Sequence, residues 1–182
     1  MRAVFEVIGN RETRSPLVIT CEHASNDVDA PLVATESDQK YLAQHWGWDI
    51  GAADVTRRMV EEHDAVGVLS RFSRLVVDPN RHRDQEGLIL THVEGVPISF
   101  NQNLETSEVD RRMQTFHAPF HDAISRVLRE RVESGDPIAL ISIHSFTPRW
   151  ERRCERWSWA FFLTSTNRLH WPLPRSRSVT DL

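Results

Sequence analysis

Two imidazoles set the chemistry open to this sequence. His23 follows the apolar run Leu17-Val-Ile-Thr-Cys21, and His144 follows Ile138-Ala-Leu-Ile-Ser-Ile143, so each stands just past a stretch that reads as a buried strand. A histidine after a strand serves as a cap or core side chain, or as a metal ligand. Two at equivalent strand ends shift the reading toward metal. Zinc takes a third protein ligand, usually His or a carboxylate, and keeps a fourth position open for water. Glu22, His45 and Asp49 are the candidates for that third place. His45 and Asp49 are four residues apart and on a helix share a face, so they reach one site together or pair with each other.

The second group is Arg71-Phe-Ser-Arg-Leu-Val-Val-Asp-Pro-Asn-Arg81. Arg holds a carboxylate through a planar fork of donors and Asn adds a directional amide, so Asn80 and Arg81 at a strand end suit an anionic substrate. Asp78 is placed to orient Arg81. The alternative is a solvated ion-pair cluster. His117 and His121 form an HxxxH, but no Glu follows His117 as in the zinc-protease pattern, which favours packing or helix-surface roles.

These residues need a frame that brings them together. Ser37 to Asp64 keeps a helical spacing of apolar positions, with Leu42, Trp46, Ile50, Ala53, Val55, Met59 and Val60 on it and Ser37 as N-cap. Ala65–Ser70 and Ser73–Val77 read as strands, the latter ending in Asp78-Pro-Asn-Arg81. A second helix starts at Ser107, carries Val109, Met113, Phe116, Phe120, Ile124, Val127, Leu128 and Val132, and stops before Gly135-Asp-Pro137, with a bend at Pro119. Strand and helix signals therefore alternate, which predicts an α/β fold. Ligands in open α/β sheets bind outside the carboxyl ends of the strands, so the three polar clusters should converge there.

Composition narrows the classes. The chain has 182 residues, 40% hydrophobic and 26% charged, with only 7 Gly and 9 Pro, which excludes disordered and low-complexity proteins. Its net charge of −4 lacks the basic field of a nucleic-acid binder, and no partner of that kind is expected. Two cysteines, Cys21 and Cys154, make no disulfide framework. The N-terminus carries no apolar leader, and no run approaches the ~18 apolar residues of a membrane span. Even Trp159-Ala-Phe-Phe-Leu163 is a core fragment or a sticky surface. A soluble, cytoplasmic chain is the expectation.

Four motifs, Cys21-Glu-His-Ala-Ser-Asn26, His45-Trp-Gly-Trp-Asp-Ile-Gly51, Ser70-Arg-Phe-Ser-Arg-Leu-Val-Val-Asp-Pro-Asn-Arg81 and Ile143-His-Ser-Phe-Thr-Pro148, together resemble the N-formylglutamate amidohydrolase family. More distantly the chain is similar to the carboxypeptidase and aspartoacylase zinc hydrolases. The resemblance implies a three-layer α/β fold with a mixed, largely parallel sheet, of the phosphorylase/hydrolase-like zinc-hydrolase type. It implies hydrolysis of the formyl amide of N-formyl-L-glutamate, a small anionic N-acyl amino acid, to formate and glutamate, a step of histidine breakdown. His23 and His144 would ligate Zn2+. Asn80 and Arg81 would grip the substrate carboxylates, with Arg71 or Arg74 as a second cation. Distant relatives carry the carboxylate ligand three residues after the first His. Here that position is Asn26, so Asp49, Glu22 or His45 must supply the third ligand.

The motifs stop at Pro148. Residues 1–148 carry 15 basic against 23 acidic side chains, a balance of −8, whereas 149–182 carry 7 against 3, or +4, with 4 of the 6 Trp. The resemblance implies that the family domain over 1–148 is incomplete, and the shift predicts that an atypical Arg/Trp-rich tail follows it, frame-shifted, disordered or divergent. The general base of the family reaction is expected in the part that 1–148 does not contain, with Glu22 as the candidate within it. Two other classes stay open: an inactive member that binds zinc or an acidic ligand, and an interaction protein using the basic aromatic tail.

Overall fold

A computed structural model describes residues 2–135 and 137–146 and, beyond them, the backbone of three strands, Arg149–Trp150, Arg153–Cys154 and Trp159–Ser165. Apolar residues, many of them β-branched, fill β2 (Leu17–Cys21), β3 (Val66–Ser70) and β6 (Ala139–Ser145), the pattern of strands covered on both faces. These three run parallel at the centre of a five-stranded sheet of order β1-β3-β2-β6-β9. Its edges, β1 (Phe5–Gly9) and β9 (Trp159–Ser165), pair antiparallel with β3 and β6. The sheet is therefore mixed, with a parallel core.

The pleat sorts side chains to two helix layers. Val18, Val66 and Val68 face one way and pack on Phe116, Phe120, Ile124 and Val127. Ile19, Cys21, Leu69 and Ile143 face the other way and pack on Ala52 and Val60 of α2 (Ala52–Glu62). A helix layer covers each face, giving the three-layer α/β architecture. Burial raises the pKa of the Cys21 thiol far above its ordinary value, and the neighbouring Glu22 adds to the effect.

The continuous helix from Ser37 to Asp64 is not formed. α1 spans Glu36–Leu42, capped by Thr35 in a reciprocal box with Asp38, and α2 begins only at Ala52. Two glycines end the periodicity between them. A side chain at Gly47 would place its Cβ 2.4 Å from the Leu42 carbonyl oxygen, and Gly51, at φ +82°, is the left-handed cap of α2. Ser73–Val77 is not a strand either. Its apolar residues are buried, but they form turns in which the Ser73 hydroxyl donates to Gly47 O at 2.8 Å and accepts from Leu75 N–H.

The second long helix follows the expected bounds more closely, as α3 (Thr106–Arg112), a π-helical turn (Met113–His117) and α4 (Ala118–Ser134), ended by left-handed Gly135. The wide turn sits just before Pro119, whose ring and missing N–H do not fit a regular α ladder. A hairpin of β4 (His92–Val93) and β5 (Val96–Pro97) lies between the two halves.

The sheet continues past residue 148. β9 takes in Trp159–Leu163 and runs along the whole of β6, and β7 (Arg149–Trp150) pairs with β8 (Arg153–Cys154). The rest of 147–182, where the composition shift lies, falls outside the described residues. Among the described residues no helix is long and apolar enough to cross a membrane.

Candidate metal centre

Because β2, β3 and β6 are parallel, their carboxyl ends open on one edge of the sheet, and the chain leaves all three there. His23 lies two residues beyond β2, and His144 is the penultimate residue of β6. Their rings are 5.1 Å apart, edge to face, and both are buried. Asp49 reaches them from the turn between α1 and α2. Its N–H donates to His23 O at 2.9 Å, and its carbonyl accepts from Ala52 N–H at the start of α2. One carboxylate oxygen then sits 2.8 Å from His144 Nδ1, the other 3.4 Å from His23 Nδ1. Ligand atoms of His23, Asp49 and His144 lie within 4.8 Å of one another.

The far side of each ring explains why Nδ1 faces inward. His23 Nε2 is 2.7 Å from Asp78 Oδ1, and an ionised carboxylate only accepts, so Nε2 carries a proton. The Asp78 oxygens also receive the Asn80 N–H at 2.9 Å and the Arg74 guanidinium at 2.7 Å. His23 Nδ1, buried and facing Asp49, has no hydrogen-bond partner. Burial opposes protonation of His23, yet Asp78 and Asp49 outweigh it and hold its pKa above the ordinary imidazole value. Burial likewise opposes ionisation of Asp49 and Asp78. The two histidines for Asp49, and His23 with Arg74 for Asp78, hold both carboxyls well below the usual range. A buried orphan nitrogen, a second imidazole and a carboxylate between them form a donor set that fits a zinc-like cation.

Other sequence candidates fall out differently. His45 does not join the group. Residues 43–51 are turns rather than helix, so His45 and Asp49 share no helix face, and the His45 ring lies against Trp46 at 4.8 Å. Glu22 is buried beside the site, its oxygens accepting from the Thr20 hydroxyl at 2.7 Å and the Ser142 hydroxyl at 2.5 Å. Arg74 pairs with Asp78 and lies 3.8 Å from Asp49, which makes it a brace within the cluster. Asp78 therefore orients His23 and Arg74 rather than the Arg81 guanidinium. Asn80 is exposed, and Arg71 and Arg81 are half-buried, with no side-chain hydrogen bond or ion pair among the described residues.

His117 and His121 turn out to be loop supports. Their Nε2 atoms bond the carbonyls of Arg81 at 3.0 Å and Pro79 at 2.8 Å, with the rings 4.4 Å apart. Burial, followed by the adjacent His121, brings the His117 pKa down to about 4. Behind the same loop, fully buried Arg112 donates to Val76 O, Phe100 O and Asn101 Oδ1, with Glu108 as its counter-charge. Sequence reasoning missed Asp78 as the partner of His23, and it missed Ser142 altogether. A signal was present for Ser142: it lies two residues before His144 and so shares its face of β6.

Fold and site define a class: an α/β protein with a buried His–Asp–His group at the carboxyl edge of its parallel strands. An N-formylglutamate amidohydrolase family profile matches residues 15–166, and the chain belongs to that family. The chain is also similar to a solved gene product of Agrobacterium tumefaciens, at 32% identity and a TM-score of 0.73 over 83% of this chain and 60% of that one. It shares the fold of an N-formylglutamate amidohydrolase from Ralstonia eutropha, at 20% identity and a TM-score of 0.64 over 80% of this chain and 58% of that one. The chain thus spans about three fifths of the length of these solved relatives. No curated protein matches it.

Proposed function

We propose that this chain carries the zinc-binding half of an amidohydrolase site acting on N-formyl-L-glutamate or a related N-acyl acidic amino acid. The observation that supports this most strongly is Asp49 set between the Nδ1 atoms of His23 and His144. In this reading those three residues hold the ion, and Asp78 and Arg74 keep the His23 ring in place. When bound, zinc supplies Lewis acidity, polarising an amide carbonyl and making water nucleophilic at neutral pH.

The chain's own side chains bind and orient the substrate. Arg81 and Arg71 receive its carboxylates through the guanidinium fork, and Asn80 adds an amide contact on the same loop. His117 and His121 fix that loop by its carbonyls, so the Arg81 donors are presented from a held backbone. The proton acceptor of the reaction is expected beyond residue 148, with Glu22, buried beside the site and accepting from the Thr20 and Ser142 hydroxyls, as the candidate before it. The compartment proposed is the cytoplasm.

Formate release from N-formyl-L-glutamate, measured with and without a chelator, tests the reading. Turnover that a chelator abolishes and zinc restores supports it. Zinc binding without turnover reduces the chain to an inactive binder, and turnover insensitive to chelation contradicts the metal assignment.

A further inference from the structure

We infer that Glu22 is a positioning residue for His144: acting through the Ser142 hydroxyl, it holds the ring proton on Nε2 so that Nδ1 faces Asp49. The inference rests on the metal-binding reading above.

The register of the parallel strands sets up the arrangement. Thr20 of β2 pairs with Ser142 of β6, and two residues further along the same pleat stand Glu22 and His144. Glu22 is buried, with Oε1 accepting from the Thr20 hydroxyl at 2.7 Å and Oε2 from the Ser142 hydroxyl at 2.5 Å. Ser142 Oγ is also 3.1 Å from His144 Nε2, and Glu22 Oε2 lies 3.4 Å from the same nitrogen.

The direction of these bonds follows from counting protons. An ionised carboxylate only accepts, so the single Ser142 proton points to Glu22. Ser142 Oγ can then only accept from His144, which puts the ring proton on Nε2. With Nε2 protonated in this way, Nδ1 is the nitrogen left to a cation, which takes the place of the proton shared with Asp49, 2.8 Å away. His23 is held in the same sense by direct contact with Asp78. Both rings thus present Nδ1 and anchor Nε2 on a carboxylate, one directly and one through a hydroxyl. Anchors of this kind fix the tautomer of a metal-ligating histidine and raise its affinity.

The inference predicts what an amide would do in place of the carboxylate. In Glu22→Gln the amide NH2 donates to Ser142 Oγ, the hydroxyl proton turns toward His144 Nε2, and the ring proton moves to Nδ1, where it competes with a cation. A role limited to satisfying the Thr20 and Ser142 hydroxyls would leave metal affinity unmoved.

The test is zinc affinity of the full chain, by competition with a chromophoric chelator, for wild type, Glu22→Gln, Ser142→Val and Ser142→Thr. Val and Thr share a shape and differ by the hydroxyl. Glu22→Gln and Ser142→Val should each weaken zinc about 10- to 100-fold, and Ser142→Thr should stay within about threefold of wild type. The double variant should lose no more than the weaker-binding single one, since the two act in series. Long-range 1H–15N spectra of the metal-free chain should show a proton on His144 Nε2 in wild type and its loss in Glu22→Gln. Should Ser142→Val not fold, Glu22→Gln and Ser142→Thr carry the comparison. Wild type that binds zinc with Glu22→Gln unchanged in affinity and tautomer overturns the role of Glu22 alone. Wild type that takes up no zinc overturns the metal reading and this inference together.

Discussion

His23 Nε2 donates to Asp78 Oδ1 at 2.7 Å, joining the end of the strand that carries the first imidazole to a loop 55 residues further along the chain. Both groups are almost fully buried, and Arg74 closes the other carboxylate oxygen. The Asp of the Asp78-Pro-Asn-Arg81 motif thereby serves the histidine, and its carboxylate makes no bond to the Arg81 guanidinium.

That division of labour predicts two separable phenotypes within one motif. Asp78→Ala should weaken zinc binding about 10- to 100-fold, because the His23 tautomer is no longer held. Equilibrium dialysis with elemental analysis reads the effect. Retention of wild-type affinity would remove Asp78 from the support of the site.

Arg81→Ala should leave zinc content intact and weaken binding of glutamate or N-formylglutamate about 10- to 100-fold, the loss of one charged hydrogen-bond partner. Calorimetry on the zinc-loaded chain separates the two effects. Equal dicarboxylate affinity in variant and wild type would take Arg81 out of the substrate site.

Arg112 is buried completely and donates to three acceptors, the Val76 and Phe100 carbonyls and Asn101 Oδ1. Arg112→Met should cost about 3–5 kcal/mol in denaturant unfolding, since Glu108 and the Val76 and Phe100 carbonyls lose a shared partner. A cost below about 1 kcal/mol would show that the site loop holds without this clamp.

His117 gives a pH signature. Its pKa falls from an ordinary 6.5 to about 4 in the folded chain, so between those values the unfolded chain binds a proton that the folded chain does not. The stability it contributes is fully present above pH 6.5 and is lost as pH falls toward 4. His117→Gln keeps a donor for the Arg81 carbonyl but cannot titrate. Wild type minus variant should therefore lose stability over that window, by roughly 1 kcal/mol after allowance for solvent at the ring. A flat difference would contradict the assignment.

Much of this frame could be read from residue order. β2, β3 and β6 are short apolar runs, and the histidines just past β2 and at the end of β6 meet because parallel strands put their carboxyl ends on one edge. His23 and His144 were visible for that reason. Asp49 was visible only as one of three alternatives, since its position depends on how Gly47 and Gly51 break a helical periodicity into turns.

Leu75-Val76-Val77 misleads in another way. Those residues are as buried as any strand, and burial alone does not tell a strand from a packed turn held by Ser73. The antiparallel edge strand β1 and the course of β9 along β6 are long-range pairings that no local pattern announces. The partners behind the histidines, Asp78 and Ser142 with Glu22, depend on contacts 55 and 120 residues apart in sequence.

The most direct test of the central claim is zinc stoichiometry of the full chain and of Asp49→Ala, measured by equilibrium dialysis followed by elemental analysis. The account predicts one tightly held zinc per wild-type chain and its loss in Asp49→Ala. Zinc retained at full stoichiometry and affinity in that variant would contradict a site built on His23, Asp49 and His144.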